Sequence, residues 1–200
     1  MPGRQKHPYQ APANWGSLLG GEMSKASVEL LESVGAGDIK HPGGTLLSHL
    51  LRVEGKLTEW GAREVVREAG LTHALFAPDG SPDPMYSMLD LSERPRVAKV
   101  IGEAAEGLVY LYGAMDRKYT YPHLADEKDH WRDRFTGELR TLTEQEIRDL
   151  MEISVANECD IASHNPEFHA KYGPEFLELF TRMRATLSED AWGEVQHVLG

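Results

Sequence analysis

Three ionisable residues, His49, His73 and Asp116, fall on the apolar stripes of three separate helices predicted from the sequence. An ionisable group is costly to bury unless it is hydrogen-bonded, ion-paired or bound to a metal. Inward placement on three different elements therefore predicts one shared polar site. Two imidazoles and a carboxylate suit one divalent transition metal, iron, manganese, zinc or nickel, and leave coordination positions open for water or substrate. With no metal, the same groups predict a hydrogen-bonded cluster in which a histidine gives or takes a proton near neutral pH. Each residue also has a plainer reading. A single inward histidine is more often a satisfied core group than a ligand, and Asp116 has the option of a structural ion pair with Arg96.

The elements that must position these groups are read from periodicity. Leu46, Leu50, Val53, Leu57 and Trp60 recur at three-and-four spacing around His49, and the helix they form closes at Gly61. Ala62, Val65, Val66, Ala69 and Phe76 place His73 on an inward face in the same way. Between Glu103 and Asp116, the residues Ala105, Leu108, Val109 and Tyr112 share one face, which Asp116 continues. Tyr112 thereby becomes a catalytic candidate beside it. Thr143 with Glu146 forms a capping box that opens a helix whose inward row, Ile147, Leu150, Ser154, Asn157 and Ile161, makes Asn157 another catalytic candidate. Ser92 is expected to cap a turn near Pro95. Pro174 to Leu187 reads as its own amphipathic helix, and Ser188 caps the last one. The expected fold is a single compact all-α bundle of about seven helices over 23–200. A mobile or surface-hugging arm over 1–22 precedes it, and a small β-hairpin can form near 134–141 about Gly137.

The stretch from Arg117 to Leu142 is long for a connection, and structureless loops beyond about 12 to 15 residues are usually functional or disordered. Tyr119, Tyr121 and Trp131 are too aromatic for simple disorder, so the segment is expected to be a lid that supplies substrate contacts. Composition narrows the partners. A net charge of -11 leaves no general basic footprint for nucleic acid or an anionic membrane surface, which favours small molecules or proteins. Neither a membrane span nor a signal peptide is evident, and the single Cys159 can form no internal disulfide. A cytoplasmic setting is expected, with homodimerisation open.

The pattern HPGGTLLSHLLRVEGKLTEWGAREVVREAGLTHALF, followed by IGEAAEGLVYLYGAMDR, resembles an uncharacterised family of small helical proteins related to the HD-domain fold, over about residues 41 to 160. That resemblance implies a metal centre in which His49 takes the first histidine position, His73 the histidine of the His-Asp doublet, and Asp116 the distal aspartate. His41, in the motif that opens the His49 helix, is a candidate fourth ligand. Ala74 stands where the doublet aspartate belongs, which argues against two bridged metals. Three readings remain open at this point. One is a mononuclear metal enzyme, hydrolytic or oxidative, acting on a small organic substrate. Another is a degenerate HD-like module that binds a ligand or protein, and the third is a metal-free acid–base enzyme.

Overall fold

Helical periodicity dominates the chain, and the computed structural model, which describes residues 22–76, 88–125 and 130–200, follows it. Among the described residues there are nine α-helices and two short antiparallel strand pairs, a compact and mostly all-α fold. The expected N-terminal arm, up to residue 21, lies outside the described residues, as does the proline-rich loop around Pro78 to Pro84.

Helix α1 (Glu22–Ser33) leads to a hairpin of β1 (Lys40–His41) and β2 (Gly44–Thr45). Its turn rests on Gly43, whose φ of 76° lies in the left-handed region that glycine adopts without strain. Thr45 then caps α2 (Leu46–Glu59): its hydroxyl accepts from the Ser48 N–H, while the Ser48 side chain accepts from the Thr45 N–H. Helix α3 (Glu64–Thr72) packs on α2, and the two approach closely at Gly70, where an added Cβ would meet Leu57 Cδ1 at 2.2 Å.

A 3-10 turn, Leu91–Glu93, is capped by Asp90, not by the expected Ser92, because it is the Asp90 carboxylate that accepts from the Ser92 N–H. Helices α4 (Arg94–Ile101) and α5 (Glu103–Ala114) are separated at Gly102, whose φ of 86° ends the helical path. The helix expected to run to Asp116 stops sooner. Met115 is extended and bridges to Asp133, and Asp116 becomes the N-cap of α6 (Arg117–Leu124).

The expected lid is therefore a packed wall. After α6 come β3 (Trp131–Arg132) and β4 (Leu139–Arg140), paired around a turn containing Gly137. The strands begin at 131, earlier than the sequence implied. Leu124, Trp131 and Leu142 are each 2% exposed, so the described residues of the segment are anchored in the core at three points.

Helix α7 (Glu144–His164) is the central element, packed against α2, α3, α5, α8 and α9. Helix α8 runs Pro166–Arg182 without the expected break at Pro174. That proline is exposed, so the carbonyl it leaves without an N–H partner faces water and the helix can continue. Ser188 caps α9 (Glu189–Val198) as expected. Among the described residues no helix is long and apolar enough to cross a membrane.

Candidate functional site

The inward face of α2 carries His49 into the core at 1% exposure. Its Nδ1–H donates to Asp160 Oδ2 on α7 at 2.7 Å, and Nε2 lies 3.0 Å from the side-chain amide of Asn157, one turn earlier on the same helix. That amide can present oxygen or, after rotation, nitrogen, so it can serve Nε2 with or without a proton. Arg52, one turn beyond His49 on α2, forks the same carboxylate with Nε and a terminal nitrogen at 2.7 and 2.8 Å, and also donates to the Pro42 and Gly43 carbonyls. Burial opposes ionisation of Asp160, but the hydrogen bonds and charges of His49 and Arg52 outweigh it and hold the carboxyl well below its ordinary pKa.

Three more rings extend this pair into a row. His41, half-buried in β1, stacks on His49 with ring centroids 4.1 Å apart. His73 meets His49 edge-on at 5.5 Å, and Tyr112 meets His73 at 5.3 Å. His73 closes α3 and its Nδ1–H donates to Gly70 O at 2.7 Å, which satisfies a terminal carbonyl of the helix and leaves Nε2 as the acceptor nitrogen. Burial and the neighbouring His49 push the His73 pKa down to about 3 and that of His41 to about 4. Both are neutral near pH 7.

At the far end Tyr112 faces Arg117, whose guanidinium carbon lies 4.6 Å from the ring centroid. Burial works against the Arg117 charge, but Tyr112, Tyr121 and Glu158 around it hold its pKa above the ordinary value. The hydroxyls of Tyr112 and Tyr121 approach this guanidinium without closing a hydrogen bond, and His41 Nδ1 is likewise buried and unpaired. Unpaired buried polar atoms at both ends of one row mark a place where a ligand or water would be gained.

Asp116 does not join this row through any hydrogen bond. Its carboxylate accepts from Arg132 at 2.5 and 3.0 Å and from the Tyr119 N–H, because the chain turns out of α5 before reaching it and uses it as a cap. Tyr119 lies under the Arg132 guanidinium, 4.0 Å from the ring centroid, and stacks near His123 and His130. Trp131 is a core residue, 2% exposed, and lies in β3 away from the row's ring contacts. Tyr121 alone of the three expected substrate residues lies beside the row.

The implied metal does not fit this arrangement. His49 has both nitrogens engaged, Asp116 belongs to Arg132 and Ala74 offers only a buried methyl, which leaves His73 Nε2 without the partner ligands a metal would need. Among the described residues no group of three His, Cys, Asp or Glu side chains is arranged to hold a metal ion. Asp160 and Arg52 are the functional residues that sequence reasoning passed over. The signal was local: Asp160 follows inward Asn157 by three residues, and Arg52 follows inward His49 by three.

Residues 30–117 match the model of a domain of unknown function (DUF6817). The match covers less than half of the chain. It takes in His41, His49, His73 and Tyr112 but ends before α7, so Asn157, Glu158 and Asp160 complete the row from outside the matched region. No curated protein and no solved structure matches the chain.

Proposed function

We propose that the chain is a metal-free acid–base enzyme acting on a small organic molecule, with His49 as the proton-transfer group. The observation that carries this reading is the His49–Asp160 pair, 2.7 Å apart with both side chains 1% exposed. Asp160 fixes the imidazole tautomer and stabilises the imidazolium that forms when Nε2 takes a proton, while Arg52 keeps Asp160 ionised. Asn157 holds Nε2 at rest and yields it when a substrate binds. Tyr112 and Tyr121 supply hydroxyl donors to a substrate oxygen, and neutral His41 and His73 shield the pair from water. The resemblance to HD-domain proteins enters only through the placement of His49 and His73. We place the protein in the cytoplasm with a small-molecule partner, a reading supported by its net charge of -11 and by a single cysteine that can form no internal disulfide.

The test is a thermal-shift screen of small polar metabolites, followed by turnover assays of the compounds that bind. A general acid–base group contributes about 100- to 10,000-fold, so His49→Gln is expected to reduce turnover on that scale while binding persists. Dialysis against a chelator should leave turnover intact. Dependence on added iron, manganese, zinc or nickel would restore the mononuclear metal reading, and compounds that bind without turnover would favour the non-catalytic module.

A further inference from the structure

Phe135 and Tyr172, two of the three exposed large hydrophobic side chains among the described residues, stand on the same cleft at 42% and 36% exposure. The cleft measures about 710 Å³, and Met115, Asp116, Arg117, Lys118 and Arg134 complete its lining. We infer that it binds a small organic anion with a flat apolar body, the ring lying against Phe135 and Tyr172 and the anionic head at Lys118. Apolar side chains left in water on a concave surface, beside a few placed charges, are the usual makeup of a small-molecule site of this size.

Charge makes the occupant an anion. The chain carries a net -11, yet this lining holds Lys118, Arg117 and Arg134 against one acid; Asp116 is paired with Arg132, Arg117 has Glu158 beside it and Arg134 serves backbone carbonyls, so Lys118 is the charge that faces the cleft. Lys118 is exposed and has no ion-pair partner among the described residues. Lys171 adds a further positive group 4.7 Å from the Tyr172 ring centroid. The aromatic wall is held in place: Arg134 donates through Nε to Gly113 O at 2.7 Å and lies 4.5 Å from the Phe135 ring centroid. Less ordering is then left for a ligand to impose. The adjoining groove along α8, which shares Arg117, Lys118 and Tyr172 and whose Arg182 donates to the Pro122 carbonyl, carries Glu175 and Glu178. These repel an acidic peptide running along the surface but not a compact anion confined to the cleft. No group of the His49–Asp160 pair lines the cleft, although Arg117 borders both it and the Tyr112 end of the row.

Binding is tested by amide NMR titration of the whole chain at low ionic strength. The probes are phenyl phosphate, phenylacetate, neutral 2-phenylethanol, inorganic phosphate and a hexaglutamate peptide. Both aryl anions should shift signals of residues 115–118, 134–135 and 172, and bind roughly tenfold more tightly than the alcohol, as expected of charge complementarity at a partly desolvated site. Lys118→Glu should remove that preference, and Tyr172→Ser should weaken the aryl anions and the alcohol together. Both residues are exposed, so an unchanged melting temperature verifies the fold of each variant. Equal affinity for the alcohol, an unchanged Kd in Lys118→Glu, inorganic phosphate binding as well as phenyl phosphate, or tighter binding of the peptide would each overturn the inference. Aryl-anion binding retained in His49→Gln separates this result from the outcome of the turnover assays.

Discussion

Asp160 on α7 and Glu68 on α3 are both nearly inaccessible, at 1% and 3% exposure, but their neighbours differ in kind. Asp160 meets a guanidinium fork and an imidazole N–H. Glu68 accepts from the Ser27 hydroxyl and has Glu54 and Glu64 nearby, with Arg67 opposing them. Burial pushes the Glu68 pKa up, with only partial relief from Ser27, and Glu54 is raised by its own burial. Depth alone therefore does not decide whether a carboxylate keeps its charge. The α2–α7 seam is built to hold a charge, while the seam of α1 with α3 is served by a hydroxyl.

The largest test of this contrast is Asp160→Ala. Removing one partner of a buried ion pair strands the other, a loss of about 3 to 5 kcal/mol that urea denaturation would read as a lower midpoint. Should this variant cost no more than a surface substitution, the seam is not held by charge.

Acidification comes next. His41 and His73 have folded pKa values depressed below the ordinary histidine value, so the stability they contribute is present above about pH 6.5 and is lost as pH falls toward about 4 and 3. Each fully buried group contributes a slope of about 1.4 kcal/mol per pH unit in that window. His73 should dominate, since His41 is partly exposed and screened. Glu54 and Glu68 have the opposite sign: their raised folded pKa values contribute stability below the ordinary carboxylate range, and it is lost as pH rises through those values. Glu54 and Glu68 therefore offset part of the loss from the histidines, and unfolding midpoints measured from pH 7 to 4 should fall more steeply in the parent than in His73→Phe. A His73→Phe profile parallel to the parent would remove His73 from the account.

The smallest effect is expected from Glu68→Gln, which keeps an acceptor for Ser27 and removes the charge that burial penalises. Its stability at pH 7 should stay within about 1 kcal/mol of the parent or exceed it, as is usual for neutral hydrogen-bonded replacements. A loss as large as that of Asp160→Ala would erase the distinction between the two seams.

Helical periodicity made α2, α3 and the inward faces of His49, His73 and Asn157 legible, since the three-and-four rule depends only on local sequence. It also found the caps at Thr143 and Ser188. What it missed was tertiary. Asp160 and Arg52 lie 108 residues apart, and nothing in either local window says that they meet. Asp116 was misplaced because the apolar row of α5 continues past the end of the helix, where the Arg132 carbonyl takes the Asp116 N–H and turns the chain. Trp131 looked like a lid residue because its segment has no clear period, yet two-residue strands are too short to show one.

Gly70 acts as a shim of zero thickness between α2 and α3. A methyl group there would lie 2.2 Å from Leu57 Cδ1, so Gly70→Ala would force the buried Leu57 side chain to swing aside or the two helices to part. His73 is latched to the carbonyl of that same glycine, so any parting of the helices would move its imidazole with the backbone and change the 5.5 Å separation from His49. The calibration of the imidazole row thus resides in an atom the chain does not have.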